Sequence, residues 1–530
     1  VLSSPGTART FDLNTPDLVK THDRSGIAPH FNELTGVVRP EYKGRALFSG
    51  LLACLILQEN SMKNCIRYAF AFALVLILAT SAWAQWSSDP SKNLALADKV
   101  GSDQVQPKVK PLPSGGWYVS WFAPPVGYSV YLQRLSSAGV EKFRHDGLKV
   151  AALTNSSTED YGLDIDTSGN ALLAFLDTRE GSNQQVTAAK MSPSGKALWG
   201  TLGVQLTKGP ATHSAPKIAG TSDGDIVVAW TVTDSNNLNE VVLQKLDATG
   251  HPLWGKGIVF HEASYNYGLA DLHAADNGSV IVSWVREQGF GSNRYIYANK
   301  LSSTGTLLWG KHVKVFDGGS LQFGAFPGFS TDGNGGAVFS WYSSSPALQC
   351  FAQHILADGS EAFPHNGSVA STDTTNVRVD PAASYRQTTD EVFLFWTEED
   401  STQSLNGIYA QKFGPKGGRQ WGQTGLVIVP LGTDSEILPT NVQVGSGALG
   451  FWIDMKAFGN ASIQAVRLQH DGKIKCSQFP VSTAMSNKGR PVADIVTATS
   501  LAAIAFEDDR IGDNGIYIQN VNNDCSLGQK

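Results

Sequence analysis

Three observations predict an all-β chain built as a β-propeller, most simply of eight four-stranded blades. An aromatic residue closes an apolar run every 54–57 residues, a six-residue strand-like segment follows each one, and a Gly-x-x-x-Trp turn follows that segment. Repetition at this period marks stacked supersecondary units that cannot bury their own faces alone.

The closing aromatics are Trp121, Phe175, Trp230, Trp284, Trp341, Trp396, Trp452 and Phe506. Apolar runs such as DIVVAW and EVFLFW precede them, and small Gly/Asp turns commonly lead into the runs, which is a hairpin signature. The six-residue segments run from VYLQRL at 130–135 to IYIQNV at 516–521, with the fourth and fifth positions mostly polar. Four residues after seven of them comes Gly139, Gly195, Gly250, Gly305, Gly359, Gly417 or Gly472. Four residues further comes Phe143, Trp199, Trp254, Trp309, Phe363, Trp421 or Cys476, which opens a fourth strand. Glycine supplies a turn conformation that other residues resist.

The eighth repeat stops at Lys530, where its fourth strand should begin, while residues 93–98 (NLALAD) read as a spare fourth strand ahead of the first repeat. An N-terminal strand completing the last blade would close the ring. Seven blades is the alternative, because the last two repeats are the least regular.

Composition agrees. The chain has 530 residues, 42% hydrophobic and only 17% charged, with 54 glycines and a formal net charge of −6. Low charge and many glycines suit short strands and tight turns. Mild acidity gives no footing for nucleic acid, which needs a basic face.

Residues 62–84, MKNCIRYAFAFALVLILATSAWA, have a basic start, an apolar stretch and a small-x-small end. They read as a signal peptide cleaved after Ala84, too short in their apolar part for a membrane anchor. Residues 1–61 read as upstream mistranslation or a disordered extension, and 85–530 as the propeller. The expected product is therefore secreted, periplasmic or cell-surface, monomeric, and free of membrane after cleavage.

IYAQKF at 408–413 with RQWGQTG at 419–425, and FEDDRIGDNGIYIQ at 506–519, resemble a group of secreted bacterial β-propeller repeat proteins. These share W-x-D-x-R, IYAQ-x-L and G-x-x-x-W-G motifs. The resemblance spans nearly all of 85–530. It implies a propeller at the surface or outside the cell, and assigns no activity.

Cys350 fills an apolar slot and reads as a small buried hydrophobe. Cys476 replaces the bulky slot of repeat 7 and Cys525 the glycine slot of repeat 8. A disulfide across adjacent blades is possible for an exported protein, although the two slots are offset by four residues. Acids recur two residues beyond the closing aromatic, at Asp177, Glu398, Asp454 and Asp508; Arg179 and Arg510 follow two of them, and Arg286 takes the slot in repeat 4. These seven are the candidate binding residues on one rim. The competing reading is a repeated ion pair or turn cap within each blade.

No close-spaced His pair, C-x-x-C, G-x-S-x-G elbow, phosphate loop or EF-hand spacing occurs, so neither metal nor cofactor is expected and catalytic residues stay unassigned. The histidines of the mature chain are scattered, as expected for turns and exposed strand positions. Aspartates before Trp230 and Trp341 lie too far ahead for a sialidase box, and LDATGHPLWG resembles a quinoprotein motif only in its packing turn. The expected function is a non-catalytic binding or scaffold protein. It would recognise a protein or polysaccharide through loops such as 232–240, 286–293 and 398–406. The alternative is a carbohydrate-active hydrolase or lyase, which should gather carboxylates from different blades in one pocket, about 5–10 Å apart.

Overall fold

The aromatic-terminated runs are too apolar to face water on either side, and they become the second strand of every blade. In the computed structural model these are Trp117–Ala123, Ala171–Glu180, Ile226–Thr233, Val280–Glu287, Ala337–Ser345, Glu391–Glu399, Gly447–Ala457 and Leu501–Asp508. The structure describes residues 86–124, 127–151, 160–181 and 183–530, all within the unit Ala82–Lys530. The expected extension (1–61) and signal peptide (62–84) lie outside the described residues.

Each second strand pairs antiparallel with an inner strand before it and a third strand after it. The inner strands are Val105–Pro111, Gly162–Ile165, Thr212–Gly220, Asn266–Ala274, Phe329–Thr331, Val377–Arg386, Ser435–Val444 and Lys488–Val496. The third strands contain the six-residue segments, and outer strands complete the sheets, short in most blades but 7 and 9 residues long in blades 6 and 7. The result is eight blades and a propeller, as the repeat predicts. Inner strands touch their neighbours around the ring, and Lys488–Val496 of blade 8 meets Val105–Pro111 of blade 1.

Closure follows the expected route. Leu94–Ala97 is the outer strand of blade 8, with Leu94 opposite Ile518 and Ala97 opposite Ile516. Blades 7 and 8 are both complete, which removes the seven-blade alternative.

The core lies between blades rather than inside one. Phe122, Val130 and Phe143 of blade 1 pack with Tyr161, Leu173 and Met191 of blade 2, and the same interleaving continues around the ring. The bulky residue after each turn supplies a second kind of contact. Trp199, Trp254, Trp309 and Trp421 donate their indole N–H to a carbonyl in the next blade's turn, at 3.0–3.3 Å. The ring also lies against that turn's glycine: a Cβ on Gly359 would sit 2.7 Å from Trp309 Cγ. Trp86 fills this slot for blade 8, donating to Ser137 O at 2.7 Å and covering Gly139.

The junction between blades 7 and 8 lacks the aromatic–glycine pair. There Cys476 and Cys525 are disulfide-bonded, with Cα atoms 6.6 Å apart. Cys525 adopts φ 71°, the conformation the glycines take at that turn. The four-residue offset between the slots is thus the geometry of every clamp in the ring, because a bulky slot always meets the following blade's glycine slot. Cys350 is fully buried, and burial pushes its thiol well above the usual range.

Candidate functional site

The seven rim residues sit at the loop-bearing ends of their strands, and all but Asp454 are held by local ion pairs. Arg179 Nε donates to Asp177 Oδ1 at 2.9 Å, and Asp177 is fully buried. Glu398 accepts from Arg378 Nη2 and Trp396 Nε1, both at 2.7 Å. Asp508 lies 2.6 Å from Arg510 Nη2 and 3.1 Å from Lys488 Nζ. Arg510 also reaches Asn93 Oδ1 at 3.0 Å, tying blade 8 to its closing strand. Arg286 donates to Glu262 at 2.7 and 2.8 Å, and its guanidinium lies 3.3 Å from the Tyr265 ring centroid. Asp454 is buried beside Glu436. Among the described residues no hydrogen bond or ion pair joins candidates of different blades.

What the sequence reading missed lies on the inner strands. Six of them change register against the second strand through a β-bulge. In five, the bulge holds a non-glycine residue at positive φ followed by proline: Gln106-Pro107, Ala215-Pro216, Asp380-Pro381, Leu438-Pro439 and Arg490-Pro491. Proline is tolerated because an inner edge strand has no further ladder to donate to. A bulge re-aims the side chains that follow it. The signal was present in the sequence as prolines near the repeat period.

The residues that follow the bulges in blades 1, 3 and 4 meet Asp160 and Asp164 of the unbulged blade 2 in a charged cluster at the centre of the ring. A cavity of about 210 Å³ lies between the inner strands of blades 1–4, lined by Lys108, Lys110, Asp164, Lys217, Asp271 and His273 among others. Lys108 Nζ is 2.8 Å from Asp160, which Lys217 also contacts. Lys110 Nζ is 3.1 Å from Asp164, whose other oxygen accepts from Gly220 N at 3.0 Å. Asp164 raises Lys110 to about 12 despite its burial. Burial opposes ionisation of Asp160, but Lys108 and Lys217 outweigh it and hold the carboxyl below its usual range. These pairs bridge blades 1–2 and 2–3, so they staple the ring as well as charge the channel.

Blade 5 departs from the pattern. Its inner strand is broken into Ser320–Leu321 and Phe329–Thr331, and both pieces pair with Ala337–Ser345. Residues 322–328 leave the sheet, and a pocket of about 440 Å³ opens at the break. Its lining joins Asp271 of blade 4, Phe326, Phe329 and Tyr342 of blade 5, and Asp380 of blade 6. The carboxyls differ in character. Burial disfavours the charged form of Asp271, yet His273 at 3.0 Å, Lys217 and the Phe329 N–H at 3.1 Å hold it well below the usual range. Asp380, in the bulge at φ 51°, is pushed up by burial. Phe326 is 49% exposed and Arg294 lies 5.0 Å from its centroid.

No family model matches the chain, and no curated protein does. Among solved structures, an ulvan lyase of a polysaccharide lyase family matches at 10% identity and TM-score 0.44, over 82% of this chain and 96% of that one. A protein of unknown function from Dyadobacter fermentans matches at 13% and 0.36, over 61% and 98%. An α-L-arabinofuranosidase from Fusarium graminearum matches at 9% and 0.35, over 70% and 94%. Likeness at this level says nothing of what the present chain acts on.

Proposed function

We propose that the chain is an extracytoplasmic binding propeller that holds a polysaccharide chain in the pocket between blades 4 and 6. The observation that carries this is the break in the blade 5 inner strand. It opens a pocket where Phe326, Phe329 and Tyr342 stand beside carboxylates from two other blades. Ring faces suit the apolar faces of sugars, and carboxylates accept hydrogen bonds from hydroxyls, the mix a concave site uses for a neutral polar ligand. Exposed Phe290 and Phe323 pack edge to face 5.5 Å apart, and their loops border the same blades.

A second reading, a glycoside hydrolase or lyase, is favoured by one observation. Asp271 is held ionised and Asp380 is pushed toward its protonated form in the same pocket, the division of labour that acid–base chemistry uses. A glycan array followed by calorimetry on the best ligand tests both. Phe326→Ala should weaken binding about tenfold, the cost of a lost ring contact. Binding without turnover supports the first reading. Turnover that Asp380→Asn abolishes while binding persists supports the second, and no glycan binding sinks both.

A further inference from the structure

Near the start of the inner strand, blades 6, 7 and 8 place ionisable residues directly opposite one another on the inner and second strands. Arg378 faces Glu398 in blade 6, Lys488 faces Asp508 in blade 8, and Glu436 faces Asp454 in blade 7. The first two are buried base–acid pairs, at 2.7 and 3.1 Å, with no side chain more than 2% exposed. In blade 7 a second acid stands where its siblings have the base.

Glu436 is 6% and Asp454 7% exposed. Glu436 Oε2 and Asp454 Oδ1 are buried without a hydrogen-bond partner. Ser462 Oγ reaches Asp454 Oδ2 at 3.4 Å and in turn accepts from Gln464 Nε2 at 2.8 Å. The other groups acting on the pair are the Trp452 indole N–H, which favours the ionised form of Glu436, Asp434, which adds to the repulsion, and the exposed Lys456. Among the described residues no ion pair reaches either carboxyl, whereas Arg378 and Lys488 neutralise the acids of the sibling pairs. Two adjacent carboxyls withdrawn from water require a countercharge or a proton.

We propose that blade 7 binds a divalent cation of the calcium class between Glu436 and Asp454, in the place filled by the guanidinium of Arg378 and the ammonium of Lys488. The two carboxylate oxygens without a partner, Glu436 Oε2 and Asp454 Oδ1, are hard donors of the kind calcium takes, with Ser462 Oγ adjacent and water completing the shell. The pair sits where the inner strand begins, beside residues 433–434, so the path from solvent is short. The rival occupant is a shared proton, because burial and the neighbouring Asp454 push Glu436 up to about 7.

The test is thermal unfolding of the purified full chain at about pH 7.5, with about 2 mM Ca²⁺, the same Mg²⁺, or chelator. The concentration is that of extracellular calcium modules. Calcium should raise the midpoint by about 3 °C. Glu436→Lys rebuilds the blade 8 pairing, and should match the calcium-loaded parent while losing the calcium response. Calorimetric titration of the parent with Ca²⁺ should show one site that Asp454→Asn removes, which keeps the test open if Glu436→Lys does not fold. A parent indifferent to calcium but stabilised on going from pH 8 to 6 would assign the pair to a proton and overturn the proposal. An undiminished calcium response in both variants would overturn it as well.

Discussion

His145 and His365 do the same job four blades apart. His145 Nε2 lies 2.9 Å from Asp98 and its Nδ1 3.2 Å from Glu141; His365 repeats this with Asp317 and Glu361, at 3.0 Å each. Asp98, His145 and Asp146 converge closely enough to hold a metal ion. The sibling site argues for an ion-pair staple instead, since Asn366 replaces Asp146 with nearly the same backbone, φ 70° against 64°. Glu141 and, against burial, Asp98 raise His145 to about 9. A raised histidine contributes stability that is fully present below about pH 6.5 and is lost as pH rises through about 9. His145→Gln should therefore lower the melting temperature by about 1 °C at pH 6, a modest effect because the pair is half exposed. The difference from the parent should vanish by about pH 10 in a scan of melting temperature against pH. These two histidines lie in turns, as the sequence suggests. His213 and His354 do not: both are buried, His354 paired with Asp332 at 2.9 Å.

At the scale of the strand, periodic features were legible and aperiodic ones were not. The polar fourth position of the six-residue segment is a case of pattern without visible purpose. Gln133, Gln244, Gln353 and Gln411 are buried and turn inward. Each accepts from the backbone N–H of its bulky residue and donates to a carbonyl just beyond it, as Gln411 does with Trp421 N and Gly422 O, both at 2.9 Å. The amide fixes the turn that aims the clamp residue at the next blade. Gln411→Leu should leave those backbone groups unpaired and cost about 1–3 kcal/mol, read by denaturant unfolding. The pocket is the opposite case. The longest repeat step, 57 residues between Trp284 and Trp341, holds the extra chain of the broken blade 5 strand. An interval says that residues are added, not that Asp271 and Asp380 end up on one pocket wall. The acid slots after the aromatics were conspicuous because they repeat, and repetition is what a pairing inside each blade produces.

Across the whole molecule, stability depends on every blade holding the next, and a ring is as strong as its closing contacts. Seven junctions use an aromatic over a turn, Trp86 among them, and the eighth uses the Cys476–Cys525 disulfide. That junction lies one blade from the N-terminal closing strand, where Asn93 binds Val481 O in blade 7 and Arg510 in blade 8. Removing the disulfide leaves a junction with neither ring stacking nor covalent tie. Cys476→Ser with Cys525→Ser should lower unfolding free energy by about 2–4 kcal/mol, as should reductant acting on the parent. If the bond stands in for the clamp, Cys476→Trp with Cys525→Gly should restore much of that loss by rebuilding the contact the other junctions use. That variant should also be indifferent to reductant. Denaturant curves of the parent and both double variants, with and without reductant, decide it. A Trp/Gly variant no more stable than the Ser/Ser one would show that the eighth junction needs its covalent tie for a reason the other seven do not share.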